Sequence, residues 1–94
     1  MKFEWDKTKA AANFRKHKVT FDEATTVFSD PLARIFDDPD HSVEERREMI
    51  VGHSILSRLL LVCFTEREAR LIRVFSARQT TRKERQDYEE NTSE

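Results

Sequence analysis

The spacing of apolar residues changes period several times along the chain, and each change marks an element. Lys2-Phe3-Glu4-Trp5 alternates as a half-buried strand does, with Phe3 and Trp5 on one side. Asp6 is a good N-cap for a helix over residues 7–17, which has three alanines and no Pro or Gly, with Ala10 and Phe14 four apart on its inner face. Thr20-Phe21-Asp22-Glu23 has the form of a capping box, flanked by Val19 and Ala24 at the staple positions. It opens a second helix to about Phe28, with Phe21, Ala24, Val27 and Phe28 as the buried stripe, and Ser29-Asp30-Pro31 stops it. Four strands follow, over residues 32–36, 47–52, 58–65 and 70–77. The turn cluster 37–42 separates the first two, and a tight connection at 66–69 separates the last two. The third of them is apolar nearly throughout, which predicts a central strand covered on both faces. Strict alternation in the fourth puts Leu71, Arg73, Phe75 and Ala77 on one side and Arg70, Ile72, Val74, Ser76 and Arg78 on the other. Thr81-Arg82-Lys83-Glu84 is a second capping box, opening a helix to about Glu90 whose one large apolar residue is Tyr88.

The order β-α-α-β-β-β-β-α predicts an α+β fold: a small antiparallel sheet, two N-terminal helices on one face, and a C-terminal helix. A length of 94 residues allows one domain, expected over 1–90, with residues 91–94 a flexible tail. Leu, Ile, Val and Phe make up about a quarter of the chain, above the level expected of disordered sequences. The longest apolar run, Leu59–Phe64, is far too short to span a bilayer, and Met1–Asp6 contains no apolar signal region. The single cysteine, Cys63, excludes an internal disulfide and a four-cysteine zinc site, fits a cytoplasmic location, and lies in the apolar strand as core.

Charge alters this picture, because the net value of −1 hides strong segregation. Residues 1–19 carry six Lys/Arg against two Asp/Glu, residues 20–48 three against nine, and residues 49–88 eight against four. Two basic blocks thus flank an acidic middle, and if the fold joins them they make a surface for a polyanion. The last helix carries Arg82, Lys83 and Arg85 at its start, just after Arg78, and Asp87, Glu89 and Glu90 at its end. That order opposes the helix macrodipole, so stability alone does not account for it, whereas it suits an anion at the helix start. Arg70 and Arg73 add planar forks that match phosphate or carboxylate oxygens. His17, His41 and His53 lack metal-ligand spacing, and one glycine cannot make a phosphate loop, so neither a metal nor a cofactor is expected.

Several of these segments taken together resemble the BrnT family of bacterial toxins from type II toxin–antitoxin systems. They are Phe3-Glu4-Trp5-Asp6, His17, the Asp30-Pro31 break, Asp40-His41, Thr65-Glu66-Arg67, and Ile72-Arg73-Val74-Phe75-Ser76-Ala77-Arg78 followed by Arg82-Lys83-Glu84-Arg85 and Tyr88. The resemblance covers about residues 2–90. It implies a RelE-like ribonuclease fold, RNA cleavage that arrests translation, and neutralisation by a BrnA-type antitoxin. That antitoxin carries a ribbon-helix-helix part, so the implied assembly is two toxins with two antitoxins, touching DNA only through the antitoxin. Family members commonly have glycine after the first-helix histidine, where this chain has Lys18; a left-handed cap there costs lysine roughly 1 kcal/mol.

Cleavage without a metal uses the RNA 2′-hydroxyl as nucleophile, and it needs a base, an acid and a cation for the phosphorane. His17 and His41 suit proton transfer near neutral pH, with Glu66 and Tyr88 as further candidates and Arg73 as the charge stabiliser. Lys9, Lys16, Arg78, Arg82 and Lys83 are the candidate RNA-binding residues. Two readings from other classes remain open at this point: a non-catalytic protein-binding module and a nucleic-acid-binding regulator. A concave basic site favours the enzyme, and a flat basic stripe favours binding alone.

Overall fold

The computed structural model describes residues 1–38, 40 and 45–92, with the side chain of Thr92 excepted. The elements are β1 (Lys2–Glu4), α1 (Lys7–His17), α2 (Phe21–Thr26), β2 (Arg34–Asp37), β3 (Glu48–His53), β4 (Leu59–Glu68), β5 (Leu71–Gln79) and α3 (Arg82–Thr92). A single 3-10 turn, Val27–Ser29, extends α2. The α+β order is the expected one. The last helix continues past Glu90 to Thr92, so the chain from Asn91 is not all tail.

The strands form a sheet in the order β1-β5-β4-β3-β2. Neighbours from β2 to β5 pair antiparallel, as expected, whereas β1 joins β5 in parallel, so the sheet is mixed. Leu59, Leu60, Leu61 and Val62 of central β4 are all buried, because helices lie over both of its faces. Val19, Phe21, Ala24 and Val27 pack on Ile50, Leu60, Val62, Phe64, Ile72, Val74 and Ala77. On the opposite face Val51, Leu59 and Leu61 meet Tyr88 of α3. Trp5 is half-buried at the rim of the first core, with its ring edge-on to Phe21 at 5.8 Å.

The alternation expected in β5 fails at one residue. Cys63 pairs with Ser76, but Phe64 pairs with Val74, so Phe75 is an extra residue in a β-bulge. Past the bulge the phase inverts: Ile72, Val74 and Ala77 all enter the helix-side core. Arg73 and Arg78, expected on opposite sides, therefore come to the same face, opposite Thr65 and Leu61 respectively.

Helix α1 also departs from the expected stripe. Phe14 is 46% exposed, and Asn13 is buried in its place. Asn13 Oδ1 accepts the Ala77 N–H at 3.1 Å, while Nδ2 donates to the Ala77 and Val19 carbonyls at 2.8 and 3.0 Å. The short β1 pairs only with residues Leu71 to Arg73, so the Asn13 amide supplies a donor and an acceptor to β5 beyond the end of β1. The helix ends at Lys18 with φ 59°, in the left-handed region. The capping hydroxyl of Thr20 accepts the Glu23 N–H at 3.0 Å. The Glu23 carboxylate does not return to Thr20; it is taken by both Arg58 Nη2 and Nε, and by Ser54 Oγ at 2.7 Å. Pairing with Arg58 holds Glu23 below the usual carboxylate range against the opposing effect of burial. Gly52 is required by space: a Cβ there would stand 2.9 Å from Ala33 Cβ and 3.0 Å from Asp30 Oδ2.

Lys18→Gly relieves the left-handed strain and raises stability by about 1 kcal/mol, read as a higher urea midpoint at unchanged slope. Asn13→Ala leaves three buried backbone groups without partners, which costs about 2–4 kcal/mol in the same assay.

Candidate functional site on the open sheet face

Register fixes what lies on the sheet face away from α1 and α2. Phe36, Met49, Cys63 and Ser76 form one row across β2 to β5, and Arg34, Val51, Leu61 and Arg78 form the next. Thr65 and Arg73 continue the face toward β1. Helix α3 covers one end of it through Tyr88, and among the described residues no helix lies over the rest.

At the end away from α3 lies a groove of about 220 Å³ lined by Lys9, Asp38, Arg47, Cys63, Phe75 and Ser76. The bulge brings Phe75 here instead of into the core. The Arg47 guanidinium lies 3.9 Å from the centre of the Phe75 ring, and Lys9 Nζ stands 5.6 Å from it. Lys9 reaches the groove because it lies one turn before Asn13, on the side of α1 that Asn13 holds to the β5 edge. Arg47 precedes β3; its Nη2 also lies 3.8 Å from Glu45 Oε1. Arg73, on the same face, donates to Glu4 Oε2 at 3.0 Å, and Arg67 Nε lies 3.7 Å from that same oxygen. Two cations, an aromatic ring and the Asp38 side chain thus share one concave site, with Arg73 further along the same face.

The other end of the face is closed by fixed contacts. Arg78 makes a two-pronged pair with Glu84, at 2.8 Å from Nη1 to Oε1 and 2.9 Å from Nη2 to Oε2. Glu84 also closes the second capping box, accepting the Thr81 N–H at 2.8 Å while its own N–H reaches Thr81 Oγ1 at 3.2 Å. The Arg78 fork and this cap bring the Glu84 carboxyl down to about 2. The basic-then-acidic order of α3 is partly explained by Lys83–Asp87 and Arg85–Glu89, four apart at 3.9 and 3.8 Å. Asp30 ties both layers together: its Oδ2 accepts the His53 N–H at 2.7 Å and the Tyr88 hydroxyl at 3.3 Å, and its Oδ1 accepts the Leu32 N–H at 2.9 Å. Burial would raise the Asp30 carboxyl, but these donors outweigh it and hold it below its ordinary value. Tyr88 moves the other way, raised by burial and by the facing carboxylate, so its proton stays on the phenol. The His53 ring lies edge-on to Tyr88 at 5.6 Å.

The sequence-derived candidates divide accordingly. Lys9 lies in the groove, with Arg73 further along the same face. Arg78 and Tyr88 lie on that face as well, both engaged in anchoring α3. Arg82 and Lys83 are exposed on the first turn of α3, and Lys16 is exposed on α1. Glu66 sits at the β4–β5 hairpin and accepts the Arg70 N–H at 3.1 Å. His17 is half-buried at the end of α1, and among the described residues its side chain makes no hydrogen bond or ion pair. His41 lies outside the described residues. Sequence reasoning missed Arg47 and Phe75. The signal for Phe75 was the apolar spacing Ile72, Val74, Ala77, which breaks a period of two; Arg47 carried no local signal. Among the described residues, no three His, Cys, Asp or Glu side chains converge as a metal site would need, and no helix is long and apolar enough to cross a membrane.

The pair that fastens α3 is sensitive to acid. A carboxyl held near 2 when folded and near its ordinary value when unfolded stabilises the fold above that ordinary value, and the contribution falls away as pH drops toward 2. Glu84→Gln is therefore expected to cost about 1 kcal/mol at pH 7, a figure discounted for partial exposure, and markedly less at pH 3. Urea titrations of both chains at the two pH values measure the difference.

Residues 5–84 match the sequence profile of a family described as the ribonuclease toxin BrnT of type II toxin–antitoxin systems. The fold is similar to the 1.1 Å crystal structure of the Brucella abortus ribonuclease toxin BrnT. The TM-score is 0.68 at 24% identity, over 87% of this chain and 99% of that one. No curated protein shows significant similarity to the chain. A mixed five-stranded sheet with helices on both faces, a concave basic site on it and a profile match over most of the chain have one joint consequence: the chain belongs to the BrnT family of ribonuclease toxins of type II toxin–antitoxin systems.

Proposed function

We propose that the chain cleaves RNA within the groove beside β5, by attack of the RNA 2′-hydroxyl on the adjoining phosphate and without a metal ion. The observation that carries this reading is the convergence of Lys9 and Arg47 over Phe75 in a concave site, with Arg73 on the same face. Positive side chains at that spacing attract a phosphodiester and stabilise the extra negative charge of a phosphorane. In this reading charge stabilisation falls to the side chains themselves. Arginine suits this work, because its fork reaches two phosphoryl oxygens and keeps its charge at any working pH.

Proton transfer is the second requirement. Tyr88 is committed to Asp30, and Glu66 to the hairpin amide of Arg70. His17 and His41 are kept as the proton-transfer candidates, because imidazole is the side-chain type suited to both acid and base work. Lys16, Arg82 and Lys83, exposed on either side, extend the cationic path for the RNA backbone.

The same cations serve regulation. A carboxylate-rich segment of a BrnA-type antitoxin competes with phosphate for them, since both offer paired oxygens to arginine. In this reading the antitoxin is a ribbon-helix-helix dimer, the assembly holds two toxins and two antitoxins, and it meets DNA through the antitoxin alone. The free toxin acts on RNA in the cytoplasm and arrests translation.

Arg47→Ala tests the reading. It is expected to lower the rate of RNA cleavage by about 10²-fold, the scale seen when one stabiliser of transition-state charge is removed. The thermal midpoint should stay within a few degrees. RNA left intact by the wild-type chain would instead favour a binding module without catalysis.

A further inference from the structure

The bulge in β5 aims Phe75 away from the helix-side core that its neighbours Val74 and Ala77 enter. A ring of that size on a central stretch of β5 would ordinarily fill the helix-side core beside Val74 and Ala77. The bulge instead leaves it with no partner in the β4–β5 register and turns it, half-exposed, onto the open face. Bulges of this kind re-aim a side chain at some cost in ladder pairing. Here the result is an aromatic ring in a groove lined by Lys9, Arg47, Asp38 and Ser76.

We infer that Phe75 is a nucleobase platform: one unstacked base of a single-stranded RNA adds to the Phe75–Arg47 stack, while Lys9 holds the adjoining phosphate. The inference rests on the ribonuclease reading for its ligand and deepens it by naming the substrate class. Three observations support it. The groove, at about 220 Å³, is smaller than the sites that hold drug-sized ligands, and suits a fragment such as one base. The guanidinium at 3.9 Å from the ring centre already shows that the ring accepts a flat, delocalised layer. Lys9 Nζ stands 5.6 Å from the ring centre, within reach of a backbone phosphate beside a stacked base. A duplex buries its base faces within its own stack, so a site of this form selects single strands, bulges or loops.

The test separates base from backbone. A labelled 2′-O-methyl hexanucleotide, which resists cleavage, is compared by fluorescence anisotropy with an abasic oligomer of equal length and charge. The wild-type chain should bind the base-bearing oligomer about 5- to 150-fold more tightly, the range that stacking one base supplies. Phe75→Leu should lose most of that ratio and Phe75→Trp should keep it; Phe75→Met replaces the leucine variant if thermal melts show that leucine unfolds the chain. An unchanged ratio in the leucine or methionine variant, or no ratio in the wild type, overturns the platform. Cleavage of unmodified RNA is scored separately. Base-dependent binding without cleavage upholds the platform and sinks the nuclease reading, whereas cleavage with a ratio independent of Phe75 does the reverse.

Discussion

Everything at the groove depends on how β5 is completed beyond the end of β1. The first strand pairs with only three residues of β5, and backbone groups left without partners at a buried edge are costly. The Asn13 amide resolves this by giving Ala77 both a donor and an acceptor from inside a helix. That fixes the rotation of α1 as well as its distance from the sheet. With Asn13 turned inward, Phe14 is turned out and Lys9 is brought over Phe75. One side-chain amide thereby sets the geometry of a cationic site one turn away.

Helix α3 illustrates how a polar helix can be fastened without an apolar stripe. Tyr88 supplies the buried contact, and its hydroxyl is satisfied by Asp30. The Arg78–Glu84 fork holds the other end of the helix, and Arg34 Nη1 donates to the Asn91 carbonyl at 3.0 Å. The charge order that runs against the macrodipole is compatible with this, because Glu84 alone meets the helix start and Arg78 together. Asp30 carries a second consequence, since it joins the loop after α2 to β3 and to α3 and so couples the two faces of the sheet. The close approach of Asp30 to Gly52 shows how little room that junction leaves.

Much was legible in the chain before folding. Periods of two and of three to four residues located every element, and the apolar run at Leu59–Phe64 identified the central strand. Segments near Phe3–Asp6 and Ile72–Arg78 carried the family resemblance. Local motifs were read less evenly. The Thr81–Glu84 capping box formed as written. The Thr20–Glu23 box formed in one direction only, because a charged partner 35 residues away outcompeted a nearby amide for the carboxylate.

Hydrophobic periodicity and capping chemistry are properties of neighbouring residues, so the sequence by itself determined the α+β order, the helix starts and a basic surface of some kind. Which basic residues meet was decided only in three dimensions. A single extra residue at Phe75 inverted the phase of β5, put Arg73 and Arg78 on one face, and turned an aromatic ring toward Arg47, 28 positions earlier in the chain. A bulge depends on the register between two strands, and register is a relation between segments that neither strand's own pattern contains.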